Sequence, residues 1–270
     1  MNRAVLLGVV LAIAWTGATN GAPTSVLTFH FDNLPGENYT AGGVVLDSSG
    51  QGNNGSLFAT PGVPTWLPAG KFGGAFDFTG NGVSSGQTVF VPHNASLNPG
   101  SSDFAIALWI RTDHEYDGDI LRKGSTGTGT TWYKLEHSPS AWNDKISLNF
   151  NTTGTDATIN STQAYDDGQW HFVVAQRVGG QAQLWIDAVL DGTASVSGGI
   201  SNTASLAIGS KDTLDEDFLD SSLDEVRIYS GALTADEIMG MYQPVPAPGA
   251  IFLGVLGTSV VGCLRRRKAL

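Results

Sequence analysis

The residues of this sequence best suited to ligand chemistry are aromatic side chains in the Gly-, Thr- and Ser-rich segment from Thr126 to Asp144. Trp132 and Trp142 lie in it, next to Tyr133 and Asn143. A sugar ring can stack its C–H face on an aromatic ring while polar neighbours bind the hydroxyl groups at its edge. Trp132 and Trp142 are therefore candidate carbohydrate-binding residues. The alternative is that these rings close the end of a folded domain.

The sequence lacks the signature of the common zinc-dependent hydrolases. It contains no His-Glu-x-x-His zinc motif. The five histidines are scattered, at positions 30, 93, 114, 137 and 171. The acidic run from Asp212 to Asp217 is typical of a solvated loop. These features predict a protein that is not an enzyme.

The charge distribution argues against a nucleic-acid partner. All 25 acidic residues, but only nine of the 14 basic residues, lie in residues 23–243, which leaves that part with an excess of 16 negative charges. Such a surface repels phosphate backbones and is compatible with divalent cations. The single cysteine, Cys263, lies near the C-terminus, so residues 23–243 contain no disulfide.

The N-terminus has the three parts of a secretory signal peptide over residues 1–22. Arg3 provides the positive charge, Ala4–Trp15 is an apolar run, and Thr16–Ala22 provides small residues for cleavage. The apolar run is shorter than the roughly 20 residues that span a bilayer. We therefore predict export through the secretion translocon. A retained anchor helix is the alternative.

The C-terminal residues 244–270 have the layout of a membrane-sorting tail. A stiff proline-rich linker leads into the uncharged apolar stretch Ala250–Leu264. A cluster of basic residues follows that stretch. The linker motif consists of Val245, Pro246, Ala247, Pro248 and Gly249, and the cluster of Arg265, Arg266, Arg267 and Lys268. This order resembles the PEP-CTERM sorting signals of Gram-negative bacteria, with Ala247 where the usual motif has Glu. The resemblance implies processing by an exosortase-type enzyme.

The two ends together predict where the protein goes. After export, a short transmembrane helix would hold it transiently in the inner membrane, with the basic end in the cytoplasm. The protein would then reach the cell surface or the extracellular matrix. An ordinary single-pass tail anchor is the alternative, although about 15 apolar residues are few for a permanent span.

Residues 23–243 have the pattern of one all-β domain. Short β-branched and aromatic runs recur between clusters of Gly, Asn, Asp and Ser, which is typical of a sandwich or barrel. In Phe104–Arg111 one face is apolar by alternation and the other is also largely apolar, so we expect both faces to be covered. Trp109 and Trp170 are expected in the core. A capping box at Thr234–Glu237 predicts one short C-terminal helix.

Nine segments, in order along residues 23–243, carry a family pattern. They are Phe29–Asp32, Asp47–Gly55, Lys71–Phe78, Val89–Pro92, Phe104–Arg111, Trp170–Val174, Leu184–Asp187, Leu206–Gly209 and Leu223–Tyr229. The series resembles the laminin-G-like, concanavalin A-like jelly-roll family. The resemblance implies an antiparallel sandwich of two sheets, in which the first and last strands lie side by side. We therefore expect Phe31 and Val226 on neighbouring strands.

The same resemblance implies one structural Ca²⁺ ion. Asp32 and Asp224 would supply carboxylates, and Asn53 or Gly50 a backbone carbonyl, in keeping with the oxygen ligands that Ca²⁺ prefers. The alternative is that Asp32 caps a loop and that Asp224 pairs with Arg227.

Three functional hypotheses follow for the domain. The first is a non-catalytic cell-surface or matrix module that binds carbohydrate or another surface polymer, an inference by analogy with the fold. The second is a structural or adhesive matrix protein without a defined small ligand. The third is a glycan-cleaving enzyme, which is disfavoured because the Glu-x-Asp-x-x-Glu motif of related β-glucanases is absent.

Overall fold

The computed structural model describes residues 22–243 except positions 35, 61, 83–84, 114–116, 125–129, 139–143 and 215. Residues 1–21 of the predicted signal peptide, the whole predicted sorting tail and Trp142 lie outside the described residues. The regular secondary structure of the described residues consists almost wholly of strands, which confirms the all-β prediction.

Sixteen strands and one α-helix follow one another along the described chain. The strands are β1 (Thr24–Phe29), β2 (Val44–Val45), β3 (Gly55–Thr60), β4 (Thr65–Leu67), β5 (Ala75–Thr79), β6 (Gly86–Val91), β7 (Phe104–Arg111), β8 (Gly118–Lys123), β9 (Trp132–Ser138), β10 (Lys145–Asn151), β11 (Ala157–Asn160), β12 (Trp170–Val178), β13 (Gln181–Ile186), β14 (Val189–Ser195), β15 (Leu206–Ile208) and β16 (Asp220–Ser230). Helix α1 covers Ala235–Tyr242, and a 3₁₀ turn at Ala95–Leu97 precedes β7.

The strands form two antiparallel sheets of eight strands each within the described residues. Sheet A has the order β14-β13-β12-β7-β16-β5-β4, and β1 also pairs with β16. Sheet B has the order β11-β10-β9-β8-β15-β6-β3-β2. The two sheets bury one large apolar cluster to which both contribute. This arrangement confirms the predicted jelly-roll sandwich.

Strand β7, in the middle of sheet A, packs on both faces as its sequence predicts. The residues that face sheet B belong to the main core: Phe104, Ile106, Leu108 and Ile110. Those on the opposite face belong to a second apolar cluster: Ala105, Ala107 and Trp109. The prediction of a core position is confirmed for Trp109. It is wrong for Trp170, which is only partly buried at the margin of the second cluster, where the Arg111 guanidinium lies against its ring.

Helix α1 covers the second apolar cluster. Its start is the predicted capping box, in which the Thr234 hydroxyl accepts from the Glu237 amide and the Glu237 carboxylate accepts from the Thr234 amide. Ile238 is fully buried, and the Tyr242 ring stacks on the Trp109 ring with 5.6 Å between centroids. The helix therefore gives sheet A an apolar covering on its outer face.

The last strand, β16, pairs with three others. Its first residues pair with β5, and from Val226 onwards it pairs with β1, with Val226 opposite Phe29. The register with β7 shifts between Asp224 and Arg227, and Glu225 inside that bulge has a φ of 54°. The first and last strands are thus neighbours, as the family resemblance implies.

Candidate functional site

The outer face of sheet B carries a band of polar side chains across β9, β10 and β11. Apolar residues of these strands point into the core, and the residues between them lie on the other face. We call six of these the polar row: Lys134, Glu136, Ser147, Asn149, Thr158 and Asn160. The register sets Lys134, Asn149 and Thr158 side by side. It does the same for Glu136, Ser147 and Asn160.

Side-chain hydrogen bonds join most of the polar row into one network. The Asn149 Nδ2 atom donates to Glu136 Oε1 at 2.8 Å, and its Oδ1 atom accepts from the Thr158 hydroxyl at 2.9 Å. The Ser147 hydroxyl donates to Asn160 Oδ1 at 2.7 Å. Because each side chain is held by a neighbour, and Ser147 and Asn149 are also buried, the row has a fixed arrangement.

Lys134 links the polar row to a buried charged group on β8. Its ammonium pairs with Glu136 and lies 3.5 Å from Asp119 Oδ1. Asp119 also binds Arg122 Nη1 at 3.0 Å, and burial raises the pKa of the Asp119 carboxyl to about 6. The side chains of Lys134 and Glu136 keep 15% and 19% of their exposure, so this end of the row is accessible to solvent.

Trp132 begins β9 beside this charged group. Arg122 Cζ and Lys134 Nζ lie 5.3 Å and 5.9 Å from the centroid of its half-buried ring. Cations at this distance from an aromatic face are attracted to it and fix its position. The next residue, Tyr133, turns into the core and donates its hydroxyl to the Leu97 carbonyl at 3.1 Å. Of the two predicted tryptophans, Trp132 is the one within the described residues, and the structure places it next to the polar row.

The acidic run Asp212–Asp217 departs from the solvated loop that the sequence predicts. The Asp212 side chain is only 6% exposed, and its Oδ1 atom lies 3.9 Å from Arg122 Nε. Asp217 Oδ2 lies 3.7 Å from Arg122 Nη1. The prediction is wrong for Asp212 because Arg122 is itself buried, and a buried guanidinium requires carboxylates close to it.

Sequence reasoning found Trp132 and missed the polar row. A signal was present, because polar and apolar residues alternate with a period of two in Trp132–Ser138 and in Lys145–Asn151. That alternation indicates strands with one polar face. It does not say which strands are neighbours, and the row exists only through the register of β9, β10 and β11.

Two of the four residues predicted to bind calcium meet at one turn. Asp32 Oδ1 accepts from the Gly74 amide at 2.8 Å, and Asp224 Oδ2 accepts from the Phe72 amide at 2.8 Å. Asp32 therefore caps this turn, which is the loop-capping role of the alternative interpretation. Both carboxylates nevertheless reach the same stretch of backbone, Asp224 from β16 and Asp32 from the segment after β1.

Asp224 is the more unusual of these two carboxylates. It is fully buried, and its Oδ1 atom has no hydrogen-bond partner among the described residues. Burial raises the pKa of the Asp224 carboxyl to about 7. The ion pair between Asp224 and Arg227 that the alternative interpretation expects is replaced by a pair between Arg227 and Glu225. Asp224 thus retains a buried acceptor that a cation could satisfy.

The other two predicted calcium ligands lie elsewhere. Asn53 Nδ2 donates to the Val26 carbonyl, in the first half of β1, and to the Ser96 hydroxyl. Gly50 is exposed in the same loop as Asn53. Asp32, by contrast, lies beyond the other end of β1, three residues after Phe29. The structure therefore brings together Asp32 and Asp224, and it does not bring Asn53 or Gly50 to them.

Asp32 also belongs to a second group of potential metal ligands, together with His30 and Glu225. One ligand atom each from His30, Asp32 and Glu225 lies within 4.8 Å of the others. His30 Nδ1 and Glu225 Oε1 are 2.9 Å apart, and the hydrogen bond to Glu225 raises the pKa of His30. Since Glu225 already serves His30 and Arg227, its carboxylate is occupied by protein partners.

A family model, described as the concanavalin A-like lectin/glucanases superfamily and of the laminin G type, matches residues 81–239. That range is more than half of the 270 residues. The chain belongs to this superfamily. The match runs from β6 into α1, so it includes the polar row and both strands that flank β7 in the sheet.

Solved structures of low sequence identity share the fold of this superfamily member. Domain 4 of AbnA, a GH43 extracellular arabinanase from Geobacillus stearothermophilus solved with arabinotriose, has a TM-score of 0.60 at 19% identity, covering 82% of this chain and 99% of that one. The binding domain of Paraclostridial Mosquitocidal Protein 1 has a TM-score of 0.59 at 16% identity, and the match covers 81% of this chain and 52% of that one. The binding domain of botulinum neurotoxin DC, in complex with SialylT, has a TM-score of 0.58 at 16% identity, and the match covers 81% of this chain and 51% of that one. The chain thus spans about half the length of the two toxin chains.

No protein of curated function matches this superfamily member in sequence. Among the described residues, no helix combines the length and the hydropathy that crossing a membrane requires.

Proposed function

We propose that this superfamily member is a non-catalytic module that binds a neutral glycan on the outer face of sheet B. The observation that carries the proposal is the hydrogen-bonded polar row beside the Trp132 ring. A sugar hydroxyl both donates and accepts, and the accessible members of the row, Glu136, Thr158 and Asn160, offer a carboxylate, a hydroxyl and an amide for both roles. The Trp132 ring offers the flat apolar surface that the C–H face of a sugar needs.

The charge of the domain favours neutral over acidic glycans. Residues 23–243 carry 16 more acidic than basic residues, and the two cations nearest Trp132, Arg122 and Lys134, already pair with carboxylates. An anionic sugar would therefore meet net repulsion from the domain, and neither of these two cations is free to bind it. Of the ligands present in the neighbouring structures, we expect arabinotriose, a neutral sugar, to be nearer to the true ligand than a sialylated one.

The carboxylates of this face support binding rather than cleavage. Asp119 lies opposite Glu136 in the register of β8 and β9, and one raised pKa in such a pair is what a glycosidase requires. Asp119, however, is only 1% exposed and is bound by Arg122 and Lys134. A buried acid cannot reach a glycosidic oxygen. We therefore expect no release of reducing sugar from polysaccharides.

Replacement of Trp132 with alanine tests the binding surface. We expect Kd for neutral oligosaccharides, measured on a glycan array and by calorimetry, to rise about thirtyfold, since losing an aromatic anchor costs about 2 kcal/mol. Trp185→Ala is the matched control, because Trp185 is a half-buried tryptophan of sheet A. Equal losses in both variants, or none in Trp132→Ala, would contradict the proposal. A wild-type protein that self-associates and binds no glycan would favour an adhesive matrix role.

We further propose that Asp32 and Asp224 hold one structural Ca²⁺ ion. The support is the unpartnered, buried Oδ1 atom of Asp224, since Ca²⁺ binds carboxylate oxygens. Saturating Ca²⁺ should raise Tm, as binding to the folded state alone contributes about 2.7 kcal/mol at a hundredfold excess over Kd. The Asp224→Asn variant should lose this response. A wild-type Tm that does not respond to Ca²⁺ would rule the ion out.

The module would act outside the cell. The support lies in the sequence of the two ends, which combines a signal peptide with a tail of the PEP-CTERM type. An exosortase-type enzyme would process that tail, and the domain would remain on the surface or in the matrix. Both ends lie outside the described residues, so this part of the proposal depends on the sequence alone.

A further inference from the structure

A polar cavity opens on sheet A, the sheet opposite the polar row. Its volume is about 330 Å³, within the size range of small-ligand pockets. The described residues that line it are Asp77, Arg111, Asp113, Gly168, Ser221 and Ser222. Three of them stand in one row across the sheet, because Ser222 pairs with Asp77 on β5 and with Arg111 on β7.

The side chains of this row are linked through one hydroxyl. Arg111 Nη2 donates to Ser222 Oγ at 3.1 Å, and Ser222 Oγ donates to Asp77 Oδ1 at 2.6 Å. The guanidinium and the carboxylate therefore bind Ser222 from its two sides rather than each other. Within the described residues this is the single hydrogen bond that Arg111 donates, although a guanidinium carries five N–H groups.

The Trp170 ring contacts the Arg111 guanidinium from the neighbouring strand β12. The register places Trp170 opposite Arg111, and Arg111 Cζ lies 5.2 Å from the centroid of the Trp170 ring. Stacking on the ring fixes the plane of the guanidinium. Its remaining N–H groups are thus held in a defined direction at the cavity.

The charged side chains that line the cavity indicate which kind of ligand it can bind. One guanidinium and two carboxylates, of Asp77 and Asp113, line it, so a simple anion meets two like charges and a simple cation meets Arg111. A vicinal diol suits the set, because one hydroxyl can donate to the Asp77 carboxylate while its neighbour accepts from Arg111. Vicinal diols are the recurring group of neutral sugars.

We propose that this cavity is a second saccharide site, which takes a vicinal diol of a neutral sugar through Asp77 and Arg111. It lies on sheet A and the polar row lies on sheet B, so the two sites together would make the domain bivalent. The proposal extends the glycan-binding function to a separate surface. The cavity and the polar row have no residue in common, so an experiment can disprove either site without affecting the other.

A titration with L-arabinose, followed by NMR, separates the two sites. The Gly168 backbone amide reports on the cavity and the Asn149 side-chain amide on the polar row. We expect the Gly168 signal to shift saturably in the wild type and in Trp132→Ala. Asp77→Asn and Arg111→Lys should each weaken that shift at least tenfold in apparent Kd. Asp191→Asn, a carboxylate change on β14, should leave it unaltered.

Several outcomes would overturn the second site. A Gly168 signal that does not move at saturating L-arabinose would do so, as would an equal response in Asp77→Asn. A response to sodium sulfate or calcium chloride without one to L-arabinose would show an ion site instead. A Gly168 response without an Asn149 response would support the second site and contradict the binding surface proposed on sheet B.

Discussion

Replacing Trp109 with alanine is expected to lower the free energy of unfolding by about 3–5 kcal/mol, the range for large aromatic residues removed from a core. The ring is 1% exposed and lies 5.2 Å from the Phe172 ring and 5.6 Å from the Tyr242 ring, centroid to centroid. Its loss would leave a cavity between sheet A and helix α1, whose Tyr242 ring stacks on it. Urea denaturation followed by circular dichroism measures the change.

Two further variants test this explanation for Trp109. Trp109→Phe should cost much less than Trp109→Ala, because it keeps a stacked ring and removes an indole N–H that has no acceptor among the described residues. Met239→Ala should change stability by less than about 0.5 kcal/mol, since Met239 is 46% exposed on the same helix. Similar losses in all three variants would show that the stacked cluster is not the cause.

Replacing Arg177 with methionine is expected to destabilise the fold by about 2–4 kcal/mol, because several partly buried hydrogen bonds from one charged group would be lost together. Arg177 is 2% exposed, and its guanidinium donates to the carbonyls of Ser102, Gly100 and Gly198. It thereby ties the loop before β7 to the loop after β14. The same denaturation experiment measures the loss.

The Arg177→Lys variant tests whether the positive charge alone or the donor geometry of the guanidinium stabilises the two loops. Arg177→Lys keeps the positive charge and cannot reach three carbonyls at once, because an ammonium lacks the planar fork of donors. Its stability should fall between those of the wild type and Arg177→Met. If Arg177→Lys matches the wild type, one charge is sufficient and the three-carbonyl explanation is wrong.

The sequence by itself determined the local elements of this protein. The alternation in Phe104–Arg111 predicted a strand covered on both faces, and the capping box at Thr234–Glu237 predicted helix α1, because side-chain period and end capping are local properties. The ordered family segments predicted the two-sheet sandwich and the pairing of its first and last strands. Trp132 was selected as a candidate ligand-binding residue, and the structure places it beside the polar row.

Only the tertiary structure decided how distant residues meet. The polar row requires three strands in one register, and the cavity on sheet A requires Asp77 and Arg111 on either side of Ser222, although these residues are far apart in the chain. Asp212 is buried because Arg122 is, and Asn53 lies away from Asp32 because its loop packs on the first half of β1. Side-chain period fixes which face a residue takes. Strand order and register fix its neighbours, and these depend on packing across the whole sandwich.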